Sequence, residues 1–170
     1  MEGALIWITG LAGSGKTTVG KAVYAKLKTG YSNTVFLDGD KFREITGQME
    51  GHTKEARLNV AMQRARMCRF LTGQGINVVC STMSLFKEVH SFNRKNNRNY
   101  FEVFIDTDIE VLVKRDQKGL YSKAVKGEVK NVMGVDMPYD KPGKCHLHLK
   151  NNTKEELKKN VEQILNLAST

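Results

Sequence analysis

Gly10-Leu11-Ala12-Gly13-Ser14-Gly15-Lys16-Thr17 matches the pattern G-x-x-x-x-G-K-[ST] in full. The apolar run Leu5 to Thr9 precedes it and a helical pattern starting at Lys16 follows it, the strand–turn–helix setting in which this pattern has a mechanism. Glycines at Gly10, Gly13 and Gly15 let backbone N–H groups turn inward around an anion at the positive end of the next helix. Ser14 and Thr18 complete the candidate phosphate cradle. Lys16 supplies charge to terminal phosphates and the Thr17 hydroxyl is a candidate ligand for Mg2+.

Moving outward, four short apolar runs predict strands: Leu5 to Thr9, Thr34 to Asp38, Asn77 to Thr82 and Tyr100 to Asp106. They are continuously apolar rather than alternating, as in a parallel sheet covered on both faces. Helical patterns lie between them at about Lys16 to Lys28, Lys54 to Gly73 and Leu85 to Lys95. A last helix begins with the capping box Thr153/Glu156 and continues through Leu157, Val161, Ile164, Leu165 and Ala168. The expected fold is α/β, a three-layer sandwich of the P-loop NTPase type, with one domain over residues 1–170. Residues Lys114 to Lys144 differ from the rest. They are rich in lysine and glycine, hold both prolines (Pro138 and Pro142), and predict a basic lid.

Composition narrows the class. The chain has 170 residues, 40% hydrophobic and 26% charged, with a formal net charge of +9 and a pI near 9.5. Such a balance favours anionic partners, either nucleic acid or phosphorylated small molecules. Much of the excess charge falls in the lid, and no aromatic pattern interleaves the Arg94 to Arg98 cluster, so a small-molecule partner is expected and nucleic acid is not. No apolar run approaches the roughly 20 residues of a membrane span. The N-terminus lacks the basic region of a secretory signal, and the three cysteines are odd in number and widely spaced, which predicts a cytoplasmic protein with reduced thiols. Cys145, His146 and His148 fall in an alternating Cys-His-Leu-His-Leu run that reads as a late strand rather than a zinc site.

A phosphate loop alone does not fix the reaction. Asp116-Gln117-Lys118-Gly119 matches the D-x-x-G of GTPase switches, but it lies late and no Asn-Lys-x-Asp guanine reader is present. Leu37-Asp38-Gly39-Asp40-Lys41-Phe42-Arg43 is more informative. Two carboxylates at a strand end beside the loop sit where substrates bind such sheets, or else form an N-cap and a turn. A carboxylate with an arginine one helical turn on suits phosphoryl transfer to an alcohol.

These segments resemble the adenylylsulfate (APS) kinase family over nearly the whole chain. The motifs that carry the resemblance are Trp7 to Thr18, with Ala12 where serine is usual; Leu37 to Arg43; Ser84-Leu85-Phe86; Glu102 to Thr107; Arg115 to Tyr121; Gly127 to Asn131; and Pro138-Tyr139. The resemblance implies ATP and Mg2+, with phosphorylation of a ribose 3′-hydroxyl. It makes Asp40 the base or hydroxyl-orienting group, with Lys16 as its catalytic companion. Arg43 and Arg57 would hold the acceptor's phosphate-linked group, with Asp38 and Lys130 beside them. Arg115 and Lys118 would belong to the ATP side and the lid. Ser84 could orient the acceptor, help hold the metal or cap the helix near Leu85. Related enzymes are commonly dimers, so the resemblance admits a homodimer.

The family's pattern breaks at the acceptor base. Members that use APS place its adenine between two phenylalanines, whereas this chain has His52 at the first place and Val132 at the second. The family's Asp-Arg-x-x-Asn reads Ala56-Arg57-Leu58-Asn59-Val60, losing the acid and shifting the asparagine. Stacking on an aromatic face is worth roughly 1–3 kcal/mol per base, so a rebuilt pocket implies a different base. His52 and Asn59 bring polar groups suited to a pyrimidine edge. The chain is also similar to the cytidine diphosphoramidate kinase branch of the family, found in bacterial capsule phosphoramidate biosynthesis. That makes cytidine diphosphoramidate the expected acceptor and APS the alternative.

Overall fold

A computed structural model describes residues 2–47, 53–116 and 119–168. In chain order the elements are β1 (Leu5–Gly10), α1 (Lys16–Gly30), β2 (Thr34–Asp38), α2 (Gly39–Thr46), α3 (Lys54–Gly73), β3 (Asn77–Thr82), α4 (Lys87–Asn96), β4 (Tyr100–Asp106), α5 (Ile109–Arg115), α6 (Leu120–Val125), β5 (Leu147–Lys150) and α7 (Lys154–Ala168). All strand pairs are parallel, in the order β2-β3-β1-β4-β5. The four strands expected from continuous apolar runs are present, and the late strand around His146 is β5.

Alternation of side chains along each strand divides the core in two. Leu5, Trp7, Val78, Cys80, Tyr100 and Phe104 face one side and pack with Ala61, Ala65 and Cys68 of α3 and Val89 of α4. Ile6, Ile8, Val79, Val103 and Ile105 face the other and pack with Val19 and Val23 of α1 and Val161 and Ile164 of α7. Both faces are therefore covered, which is why period-2 patterning is missing from the strands. Full burial of each such aliphatic side chain is worth about 1.5–3 kcal/mol. Buried Glu102 lies among these residues, 2.8 Å from the Arg94 guanidinium and 2.9 Å from His90. Arg94, part of the basic surface cluster, is thus tied to a core carboxylate.

Three elements depart from the sequence expectation. Helix α4 starts at Lys87, because Phe86 is extended and Lys87 N donates to Asp140 Oδ2 at 3.1 Å, a cap delivered from 53 residues downstream. Helix α2 begins directly at the end of β2, where Asp38 caps it. The lid is not a bare loop. It carries α6 and a tight turn near Val132, and it buries Tyr121, Val132, Met133 and Met137 in the core beside α3 and α4. Asp116 accepts from Tyr121 N and Ser122 N, so the D-x-x-G match is the cap at the start of α6.

Candidate active site

The chain reverses strand order at β1, with β3 on one side and β4 on the other, which opens a crevice at the carboxyl ends of the strands. The loop between β1 and α1 lies there. Gly15 has φ +89 and its Cα abuts the Asn151 amide, so a side chain at this position is doubly disfavoured. Four of the loop's carbonyls accept from side chains, three of them from outside the loop. Leu11 O accepts from Lys16 Nζ at 2.9 Å and Ala12 O from the Tyr121 hydroxyl at 2.7 Å. Gly13 O accepts from Arg115 Nη1 at 3.1 Å, and Ser14 O from Asn151 Nδ2 at 2.7 Å and the Thr107 hydroxyl at 3.2 Å. With carbonyls drawn outward, the amides of the first turn of α1, which lack intrahelical partners, are left for an anion at the helix's positive end. This cradle fits a phosphate chain.

The predicted loop residues divide by role. Lys16 and Thr17 line the crevice, as do Ala12 and Gly13. Ser14 is buried with its Oγ against the end of β1, so its side chain faces away from the crevice. Thr18 is exposed on α1. Burial lowers the Lys16 pKa to about 8, and the nearby Asp40 and Asp38 carboxylates only partly offset that desolvation. The Thr17 hydroxyl donates to Asp38 Oδ2 at 3.0 Å, while Asp38 Oδ1 accepts from Asp40 N at 2.9 Å. Asp38 is therefore both the N-cap of α2 and a link to the phosphate loop.

Opposite the loop lies a cavity of about 390 Å³. Asp38 and Asp40 contribute carboxylates to its lining, Arg43, Arg57, Arg64 and Lys130 supply cations, and Ser84, Val132 and Met133 line it as well. Asp40 is largely exposed and forms an ion pair with Arg43 one turn along α2. Arg57, Val60, Ala61 and Arg64 recur at helical spacing, so one face of α3 lines the cavity. Asn59 falls about 200° away from Arg57 on that helix, is exposed, and lies outside the lining. Arg115 also lies outside it, its guanidinium bracing Gly13 O against Asn151 O and Asn152 O at 2.9–3.1 Å. His52 and Lys118 are outside the described residues.

Val132 is held by a turn in which Asp136 accepts from Asn131 N at 2.7 Å and Val132 N at 2.5 Å. Gly134, at φ +85, packs against Leu11, where a Cβ would sit 2.9 Å from Leu11 Cδ1. The turn that holds Val132 thus rests on the phosphate loop. His146 Nδ1 accepts from Glu102 N at 2.9 Å and His148 pairs with Asp106 at 2.9 Å, so the two late histidines serve the β4–β5 edge.

Arg64 was not singled out by sequence. It is 4% exposed, donates to Thr82 Oγ1 at 2.5 Å, Ser84 Oγ at 3.1 Å and Gly39 O at 3.3 Å, and lies 5.1 Å from the Phe42 ring centroid. A signal was present: an arginine seven residues after Arg57, on the face otherwise made of Val60 and Ala61.

A parallel sheet with this loop, an acidic strand end and a cation-lined acceptor cavity defines a P-loop kinase, an enzyme that moves a phosphoryl group to an alcohol. The chain belongs to the adenylylsulphate kinase family, whose model matches residues 2–150. It is 46% identical to the cytidine diphosphoramidate kinase of Campylobacter jejuni over 95% of this chain and 94% of that protein. It is 35% identical to the adenylyl-sulfate kinase of Clostridium kluyveri over 99% of this chain and 84% of that one. The Mycobacterium tuberculosis APS kinase CysC, solved in complex with AMPPNP and APS, superposes with a TM-score of 0.89 at 30% identity, covering 99% of each chain.

Proposed function

We propose that this enzyme transfers the γ-phosphoryl group of ATP to the ribose 3′-hydroxyl of cytidine diphosphoramidate. The observation that carries the acceptor assignment is the lining of the cavity. Phe86 is the one aromatic side chain among its described residues, and aliphatic Val132 and Met133 also line it. A lining of this kind does not offer adenine two stacking faces, and the 46% identity to a cytidine diphosphoramidate kinase points the same way.

The loop amides and Lys16 would hold the β- and γ-phosphates. Thr17 Oγ would ligate Mg2+, whose charge would screen the phosphates. Because that hydroxyl gives its proton to Asp38, its lone pairs remain for a metal. Arg43, Arg57 and Lys130 would bind the acceptor's anionic tail. Engagement of Arg43 by that tail would loosen its ion pair with Asp40 and leave the carboxylate to orient the 3′-hydroxyl. The hydroxyl oxygen then forms the new P–O bond as the bond to the β-phosphate oxygen breaks. Its proton passes to Asp40 and ADP leaves. Three free cysteines are in keeping with a cytoplasmic setting.

APS is the alternative acceptor, favoured by the family match and by the superposition on an APS complex. Turnover on the two acceptors at equal concentration decides between them. Cytidine diphosphoramidate should be faster, and APS faster by about tenfold, some 1.4 kcal/mol in transition-state stabilisation, would reverse the assignment.

A further inference from the structure

The Arg64 guanidinium is 4% exposed, and its charge sits at the floor of the acceptor cavity rather than at its rim. It reaches two neighbouring hydroxyls at once. Thr82 and Ser84, each 2% exposed, both line the cavity, and their oxygens lie 2.8 Å apart. Two hydroxyls carry two protons and four lone pairs. Arg64 Nη1 donates to one lone pair on each oxygen. One proton and one lone pair are used between Thr82 and Ser84, which leaves one proton and one lone pair for the two hydroxyls together. Among the described residues neither hydroxyl has a further acceptor within hydrogen-bond reach. Burying that proton without a partner would cost free energy, so it is set to be donated into the cavity.

From this we infer that Arg64 is a positioning residue that biases the Thr82–Ser84 pair towards donating a hydrogen bond to the acceptor nucleotide. Without the guanidinium the two hydroxyls could rotate and either donate or accept. With it, the pair selects a lone-pair atom: a carbonyl oxygen or ring nitrogen of the base edge, or a phosphoryl oxygen. An amino group at that point would use the one remaining lone pair and leave the buried proton without an acceptor, so it is disfavoured. Arg64 Nη2 also donates to Gly39 O, the residue before Asp40, and the guanidinium stacks on Phe42 of the same helix. The reader of the acceptor and the carboxylate that meets its hydroxyl are therefore registered by one side chain. The inference rests on the kinase reading above but not on which nucleotide is the acceptor.

The test is a double-mutant cycle on Ser84→Ala and Arg64→Met, read on whichever of the two acceptors the wild-type enzyme phosphorylates faster. Ser84→Ala should raise the acceptor KM about tenfold and leave the ATP KM within about twofold. In the Arg64→Met background the same change should cost less than about twofold, because the hydroxyls are no longer biased towards donation. Arg64→Lys keeps the charge but not the fork, and should behave like Arg64→Met. Should Arg64→Met fail to fold, Thr82→Val is the substitute, with the same acceptor-specific rise expected. Competition by the free nucleoside and by pyrophosphate locates the partner atom. Weakening of either by Ser84→Ala agrees with the inference and identifies base edge or phosphoryl oxygen. An unchanged acceptor KM in Ser84→Ala, costs that add independently, or full rescue by lysine would each overturn it. Wild-type turnover alone settles the acceptor, so either claim can fail without the other.

Discussion

The Thr17 hydroxyl and the Asp38 carboxylate are joined by a hydrogen bond of 3.0 Å that links the first turn of α1 to the first turn of α2. The two oxygens of Asp38 are thereby divided, one for the phosphate loop and one for the amide of Asp40. A single side chain sets the spacing between the donor cradle and the carboxylate proposed to meet the acceptor hydroxyl.

Two substitutions separate these duties. Asn is as good an N-cap as Asp, whereas Ala loses about 1 kcal/mol at such a position. Asp38→Asn should therefore melt within a few degrees of wild type while Asp38→Ala melts lower. Both should raise the Mg2+ concentration needed for half-maximal turnover, since neither supplies a carboxylate to take the Thr17 proton. Thermal melts and a magnesium titration of initial rates are the measurements.

Lys16 gives a prediction in pH. Its pKa in the nucleotide-free protein is about 8, below the ordinary lysine value, chiefly because of burial. Below pH 8 the ammonium is charged and ready for phosphate. Above it the free protein loses that charge, and ATP must draw a proton back as it binds. Calorimetric titrations near pH 9 in buffers of different ionisation enthalpy should show proton uptake on ATP binding. Lys16→Met should abolish it. The sign for stability is the reverse of an ordinary ion pair. Between about pH 8 and the unfolded lysine value the unfolded chain binds more protons, so this group makes the nucleotide-free fold more stable as pH rises.

How much of this was legible in the sequence depends on whether a feature is local. The phosphate loop and its flanking elements were readable because strand, glycines, Lys16 and Thr17 are contiguous. Buried parallel strands declared themselves by being apolar throughout. Arg64 was hidden because its partners, Gly39, Thr82 and Ser84, come from two other segments, and an arginine on α3 reads as a solvated one. Asn59 shows the opposite case, a residue drawn from a motif that the fold leaves exposed and outside the cavity lining. Matching a family's motif by position ignores that two residues along a helix turn a side chain by about 200°. The order within the lid was unreadable because its buried residues, Tyr121, Val132, Met133 and Met137, pack against other elements and follow no helical or strand period.

Asp40→Asn removes the proton acceptor and keeps the shape. A positioned base contributes about 10²–10⁴-fold, so kcat should fall in that range with ATP affinity altered by less than about threefold. Because Asp40 is ion-paired with Arg43, the acceptor's apparent affinity should not weaken, since that pair no longer competes with the acceptor for Arg43. Full turnover in this variant would remove Asp40 from the mechanism.

Val132→Phe tests the acceptor pocket. Val132 is 4% exposed and lines the cavity, so a phenyl ring there must project into the space proposed for the base. One stacking face is worth roughly 1–3 kcal/mol, or about 5- to 150-fold in affinity. The variant should lose turnover on cytidine diphosphoramidate and gain on APS. Equal loss on both would mean that the ring only blocks the cavity.

Tyr121 tests the coupling between lid and donor loop. It is fully buried, and burial pushes its phenol pKa up to about 12, so at neutral pH it is a proton donor. Its hydroxyl donates to Ala12 O at 2.7 Å, from a helix more than 100 residues downstream of the phosphate loop. Tyr121→Phe keeps the ring in the core and leaves Ala12 O without that donor. The loss of one such bond costs about 0.5–1.5 kcal/mol. If the bond served stability alone, the melting temperature would fall and the kinetics would not change. Because it holds a carbonyl outward so that the loop's amides face inward, ATP affinity should weaken as well, by about three- to tenfold. The acceptor's affinity, measured separately, should stay near wild type, since α6 meets the acceptor cavity through Leu120 and not through Tyr121. A change in acceptor affinity as large as that for ATP would mean that the lid moves as one body, and that Tyr121 secures its closure rather than the shape of the loop.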